Sequence, residues 1–395
     1  MLSPYRRVLS LPGTWQFSLS GFFGRLPTSM VSLGIVLLVS TRTGSYGLAG
    51  TVASAYLLAQ AAFAILHGRL ADRFGQARVL AIAQLVFTTS VAMMMWSVEA
   101  GWSNVVVHLF AMLGGAAFPQ VGSCVRARWS HAVHDARQVQ TAYAFESVVD
   151  EAMFVTGPTI VTFLATAWHP LAGLSAALVS SFLGTMALAL QTRTDPGPHD
   201  RAASSGPRPA MPWRIVAPMA AVSLAMGVVF GAAEVITVAF TQERDLPQWA
   251  GPLLGVWAIG SLTAGLVTGL VMWRSRPEVR VQVGVLALGL TQAPLILVDS
   301  IWLLGFMLLL GGMAIAPTLI ATLAVIEQNV PRGRLTEGMS ILHTAMGFGI
   351  APGATLSGLV VDGHGASPAY VVPAAAALLG AVAAWTGRAP VTSTP

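Results

Sequence analysis

Lysine is absent from this chain of 395 residues, so all 21 basic residues are arginine. Without lysine no G-x-x-x-x-G-K-[ST] phosphate loop can form, which argues against ATP-driven pumping. Cysteine occurs once, as Cys124. That excludes an internal disulfide and a cysteine-only metal site, and the residue is expected as a small buried apolar group. Helical His-Glu pairs with metalloprotease spacing are also missing. The chain is therefore expected to be no enzyme and to hold no metal or cofactor. Charge of either sign is scarce as well: Asp, Glu and Arg make up 9% of residues, against about 25% in ordinary soluble domains.

The chain has instead a 55% hydrophobic composition, arranged in long runs. The net charge of +5 does not point to nucleic acid, because the arginines are scattered between apolar stretches rather than gathered on one face. A bilayer core takes roughly 20 apolar residues per helix. Twelve spans fit: Trp15 to Ser40, Gly47 to His67, Arg78 to Val98, Trp102 to Cys124, Val139 to Thr166, His169 to Gln191, Arg214 to Thr241, Ala250 to Trp273, Val281 to Val298, Ile301 to Ile326, Gly338 to Val361 and Pro368 to Trp385. The run after Arg6 and Arg7 is too long for a signal-peptide core and is read as span one. The expected fold is thus an all-α integral membrane protein of twelve transmembrane helices.

Arginines collect in cytoplasmic loops. With the N-terminus inside, the inner segments hold all but Arg42 and Arg244 of the arginines outside the spans. Both termini are then cytoplasmic, in the inner membrane. The stretch from Arg193 to Pro212 is rich in proline, glycine, serine and charge and reads as a flexible linker. It separates an N-terminal six-helix half, residues 1–192, from a C-terminal half, residues 214–395, with the linker at 193–213. The halves echo each other: Gly114-Gly115-Ala116-Ala117-Phe118-Pro119 late in span four resembles Gly311 to Pro317 in span ten. Such echoes fit a duplicated, pseudo-symmetric transporter with its substrate near the midplane.

Between spans two and three lies a charged octet, Gly68-Arg69-Leu70-Ala71-Asp72-Arg73-Phe74-Gly75, read as a hairpin in which both glycines permit a tight turn. It resembles the G-x-L-a-D-r-x-G loop of the major facilitator superfamily. That resemblance covers the whole chain in topology and this loop in motif. It implies the two-half fold and a conformational latch formed by Gly68, Asp72, Arg73, Gly75 and Arg78, with a partner near Gly338 at the start of span eleven. The family pattern continues with two basic residues where this chain has Gln76 and Ala77. Gly157-Pro158 in span five resembles the Gly-Pro element of the superfamily's exporters. The span-four arginine of its proton-coupled drug exporters is absent, since Phe110 and Ala111 stand at that spacing.

Charges inside the spans point to chemistry. Arg25 lies about ten residues into span one, and an unpaired arginine there costs at least ~2.5–3.5 kcal/mol. Glu146 and Asp150, four residues apart on one face of span five, are the expected counter-ions; Glu151 faces elsewhere. The cluster reads either as a buried ion pair that fixes helix packing, as a proton carrier among Glu146, Asp150 and Glu151, or as an anion site at Arg25. Glu234, solitary in span seven, is a further candidate for a proton or cation. Arg126-Ala127-Arg128-Trp129 is expected as an interfacial anchor. The resulting expectation is a monomeric secondary transporter, proton-coupled and exporting a drug-like compound or metabolite. Uptake of a sugar or organic anion is the alternative, and a non-transporting membrane sensor is the alternative of a different class.

Overall fold

The computed structural model describes residues 3–133, 135–197, 210–270, 275–331 and 335–386. Among these, twelve helices are long and apolar enough to cross a membrane. Spans one to six are Thr14–Thr43, Tyr46–Ala71, Gln76–Glu99, Asn104–Ala132, Thr141–Ala167 and Ala172–Leu190; spans seven to twelve are Trp213–Gln242, Pro247–Thr268, Pro277–Leu297, Ile301–Asn329, Ile341–His364 and Ala366–Thr386. All twelve expected spans are present. The protein is all-helical because hydrocarbon offers no partner to a backbone N–H or C=O, and only an unbroken helix satisfies those groups within its own segment.

The chain divides into two compact units, one taking in Met1–Gly44 and Ala55–Ala203, the other Ser45–Ser54 and Ser204–Pro395. The first ten residues of the second stretch, Ser45–Ser54, thus pack with the second unit although span two itself is one continuous helix, Tyr46–Phe74. Most of the expected linker, residues 198–209, lies outside the described residues.

In the first unit, span one is interrupted. A helix Thr14–Arg25 gives way to a 3-10 turn, Leu26–Ser29, and resumes as Val31–Thr43. Pro27 causes this: it lacks an N–H, and its ring displaces the carbonyl four residues back, at Phe23. Ser180 of span six donates its hydroxyl to that carbonyl at 2.9 Å. The break is therefore satisfied from a neighbouring helix, as an interrupted membrane helix requires. Cys124 is buried and forms no disulfide, within an apolar core that includes Phe17, Val125 and Trp129.

The echoed glycines play matching parts in the two units. A Cβ on Gly115 of span four would collide with the Tyr56 carbonyl and approach the Gln60 amide of span two. A Cβ on Gly312 of span ten would collide with the Trp257 carbonyl and approach the Ser261 amide of span eight. In each unit a carbonyl and the amide four residues later line the same glycine-sized notch. The second unit adds a reciprocal seam in which Gly227 and Gly231 of span seven meet the backbone of span eleven at Met346 and Ile350, while Gly349 and Gly353 meet span seven at Leu224 and Val228. Such small-residue pairs let membrane helices reach van der Waals contact along their backbones, where no hydrophobic driving force would hold them.

Two expectations are corrected. The octet 68–75 is not a loop: span two stays helical through Phe74, and the turn is confined to Gly75, at φ +84° and ψ 149°, with the next helix starting at Gln76. Leu70 to Phe74 are all helix-compatible, and one glycine at 68 costs a helix only about 1 kcal/mol. Gly68 has nothing within 4 Å of where a Cβ would sit, so neither a turn nor close packing demands glycine there. The second correction concerns Arg126 to Trp129, which form no interfacial loop. Span four breaks at Phe118 to Gln120 and resumes as a helix over Val121–Ala132, in which Arg128 and Trp129 are fully buried.

Candidate functional site

The first unit buries a four-charge cluster. Arg25 closes the first helical segment of span one, and its Nε donates to the Gly21 carbonyl one turn back at 3.1 Å, which aims the guanidinium across the unit. Its Nη2 pairs with Glu146 Oε2 and its Nη1 with Asp150 Oδ1 at 2.8 Å. The two carboxylates share one face of span five, at i and i+4, so one planar guanidinium meets both. Glu146 receives two more donors on its other oxygen, the Ser18 hydroxyl at 2.7 Å and the Trp129 indole N–H at 2.8 Å. The indole is held edge-on against Phe17, with ring centroids 4.8 Å apart. Arg126 binds the second oxygen of Asp150 at 2.6 Å.

The two acids differ in access. The Glu146 side chain has no exposure, and its two oxygens take three hydrogen bonds. Asp150 is 27% exposed and is shared between Arg25, which is almost fully buried, and Arg126, which is 40% exposed. Two cations and two anions cancel within the cluster. Removing the charge at Glu146 leaves Arg25 to share Asp150 with Arg126; removing it at Asp150 leaves Arg25 its Glu146 and frees Arg126. The expected pairing partners of Arg25 are thus together, and Arg126, Trp129 and Ser18 join them unforeseen. The signal for the last three lay in helical spacing: Ser18 and Arg25 are seven residues apart on span one, and Arg126 and Trp129 are three apart on span four. The side chain of Glu151 lies outside the described residues.

At the octet, the side chain of Asp72 is likewise outside the described residues, as are those of Arg332, Arg334 and Glu337 near the expected latch partner; Gly338 itself is buried. Arg73 is exposed, with its guanidinium over the Phe74 ring at 5.0 Å, and Arg78 is exposed two residues into span three. Gln76 and Ala77 hold the turn against the unit. Gln76 is buried, accepting from Arg128 Nε at 2.9 Å and donating to the Cys124 carbonyl, while the Ala77 amide donates to Asp195. Arg128 also donates to the Gln191 carbonyl and the Thr194 hydroxyl. Where the family pattern has two basic residues, this chain thus has a neutral amide that receives a buried arginine.

In the second unit, Glu234 is half-buried on span seven and is engaged by other groups of the protein. A carboxylate that sequence reading passed over, Asp362 near the end of span eleven, meets the start of span two. Its Oδ1 accepts from the Tyr46 amide at 2.8 Å, and its Oδ2 from the Gly47 amide at 2.7 Å and the Ser45 hydroxyl at 2.9 Å. One carboxylate thereby satisfies N–H groups that a helix start leaves open, and its charge suits the positive end of the helix dipole. Eight residues further along span two, the Ser54 hydroxyl reaches the Ala351 carbonyl at 2.7 Å.

The Major Facilitator Superfamily profile matches residues 17–311, three quarters of the chain. The chain belongs to the Major Facilitator Superfamily. It is accordingly a multi-pass membrane transporter of small molecules, not an enzyme. No curated protein matches the sequence. Solved structures of the same fold do. The nucleoside transporter NupG is similar at TM-score 0.73 and 15% identity, over 95% of this chain and 98% of that one. The peptide transporter POT in complex with sulfate matches at 0.73 and 15%, over 96% and 97%. A bacterial homologue of the iron transporter ferroportin, in an inward-facing state, matches at 0.69 and 15%, over 97% and 99%. At such identities these superfamily structures share the fold with this chain, and their cargoes remain their own.

Proposed function

We propose that this superfamily member is a proton-coupled exporter of a small drug-like compound or metabolite, and that Asp150 is the group whose protonation drives it. The observation that carries this reading is the asymmetry of the buried cluster. Glu146 is saturated by Arg25, Ser18 and Trp129, so it serves as the fixed anion that keeps Arg25 inside the unit. Asp150 is partly exposed, at 27%, and bridges Arg25 and Arg126 through separate oxygens. A proton on Asp150 neutralises the bridge while Arg25 retains Glu146, so Arg126 and the end of span four are the parts set free. Loss of the proton restores the bridge. A buried acid–base pair whose one member exchanges with water is what a proton relay in a membrane protein needs.

Export is supported by the resemblance of Gly157-Pro158 in span five to the Gly-Pro element of the superfamily's exporters; here the missing side chain admits Ser29 of span one, whose hydroxyl donates to the Met153 carbonyl at 2.9 Å. Glu234 supplies a second carboxylate in the other unit for proton or cation handling. The surrounding scheme is two six-helix halves, residues 1–192 and 214–395, joined by a cytoplasmic linker at 193–213 and alternating in access as a monomer. Both termini face the cytoplasm, on the strength of the arginine asymmetry, and the octet acts as the inner latch through Asp72, Arg73 and Arg78.

A second reading rests on Arg126. Once Asp150 is protonated, this exposed guanidinium lacks its counter-ion and would draw an organic anion, giving uptake by proton symport. Transport in inverted vesicles under an imposed pH gradient separates the two: accumulation driven by an acid interior supports export, and movement out of the vesicles supports symport. Transport of every substrate without dependence on the pH gradient would remove proton coupling from both.

A further inference from the structure

A groove of about 530 Å³ opens between spans two, three and four at the end where the octet lies. Its walls are mostly hydrocarbon, with His67 the polar exception: Phe63 and Phe74 of span two, Ile82 and Val86 of span three and Leu113 of span four line it, these five well exposed. Among the described residues one charged side chain lines it, Arg78. The Arg73 guanidinium lies 5.0 Å above the ring of Phe74, itself a wall of the groove, so a second cation stands at the same end. From Arg78 to Val86 the groove follows span three for about 12 Å at the helical rise of ~1.5 Å per residue.

We propose that this groove binds an anionic glycerophospholipid, with one acyl chain laid along Phe63, Ile82, Val86 and Leu113 and the phosphate held between Arg73 and Arg78. The charge pattern selects this occupant. A water-soluble phosphate would need several donors around it, whereas this site offers cations at one end and, His67 apart, apolar walls over the rest of its length. A neutral lipid would bring no negative charge to the two guanidiniums. An anionic lipid matches both ends, and each arginine near a bilayer surface strengthens such binding about fivefold. The site lies outside the Arg25 cluster, uses none of its residues and assigns a role to Arg78 that is independent of any latch. Its consequence is that the turn at Gly75 is seated on a lipid, so the bilayer's anionic content bears on the arrangement of spans two and three.

The test uses the full chain, purified and stripped by washing in mild detergent, then exposed to equal amounts of phosphatidylglycerol and phosphatidylethanolamine before native mass spectrometry. The expected result is preferential retention of phosphatidylglycerol. Arg78→Gln should lower that preference about fivefold and Arg73→Gln with Arg78→Gln about 25-fold. Ile82→Trp, at an exposed position where folding is not at stake, should block retention by filling the groove with both arginines intact. Equal retention of the two lipids by the native protein would overturn the proposal. So would a preference that survives the double arginine change, one unaffected by Ile82→Trp, or one abolished by millimolar inorganic phosphate, which would mark a simple anion site.

Discussion

Single side chains separate holding from switching. Glu146 is the fully buried partner of Arg25, and breaking a buried pair costs up to about 3–5 kcal/mol, less here to the extent that Arg25 falls back on Asp150. Glu146→Gln should therefore lower the thermal unfolding temperature of the purified protein more than Asp150→Asn, which leaves Arg25 its fully buried Glu146 partner and falls at a side chain that is itself 27% exposed. Equal shifts from the two substitutions would refute the division of roles. Trp129→Phe should cost about 1.5–3 kcal/mol for the lost indole hydrogen bond to a carboxylate and leave the ring packed on Phe17. The pairing of Arg25 with span five was legible in the sequence, because two acids at i and i+4 near an intramembrane arginine leave few other solutions. Trp129 was not legible. An arginine-rich segment ending in tryptophan reads as an interfacial anchor, and only the continuation of span four after Gln120 turns it inward. Asp362 was passed over for a related reason: at the end of an apolar run a carboxylate reads as the start of a loop, and its three donors lie more than 300 positions away in sequence.

At the scale of helices, glycine decides how closely spans approach. Gly115 and Gly312 each face a backbone carbonyl with no room for a methyl group. Overpacking commonly costs 1–3 kcal/mol, and here the obstacle is backbone that cannot rotate away. Gly115→Ala and Gly312→Ala should each reduce the yield of folded protein in membranes, whereas Gly68→Ala, facing open space, should leave it unchanged; fluorescence size-exclusion chromatography measures all three. The repeated glycines of spans four and ten were visible as an echo in the sequence, but their shared role depends on the carbonyls of Tyr56 and Trp257, which no local pattern reveals. Span two shows what hydropathy leaves out. Its apolar run shows that it crosses the membrane, but not that residues 45–54 pack in one unit and the remainder in the other. Asp362→Asn removes the charge that holds the helix start and leaves one acceptor oxygen where there were two. Hydrogen exchange at the amides of Tyr46 and Gly47 should rise about tenfold or more, since each charge-assisted bond is worth about 1.5–3 kcal/mol; unchanged exchange would show that packing alone holds the segment.

For the whole molecule, composition and hydropathy already set the class: scarce charge, no lysine and twelve apolar runs leave little but a multi-pass membrane protein. Cargo and direction were not legible, because in this superfamily they reside in a few cavity side chains rather than in the scaffold. On the arginine asymmetry we propose that both termini lie in the cytoplasm. A green fluorescent protein fused after Pro395 should fluoresce and an alkaline phosphatase fused there should be inactive, and the opposite pair of results would invert the topology. The central claim is that a proton on Asp150 drives transport. It is tested most directly in inverted vesicles with an acid interior, adding drug-like compounds singly and following proton release with acridine orange. The native protein should release protons on addition of a transported compound, and Asp150→Asn should abolish that release while remaining folded and membrane-inserted. A transported compound that elicits the same proton release from the Asp150→Asn protein would contradict the account.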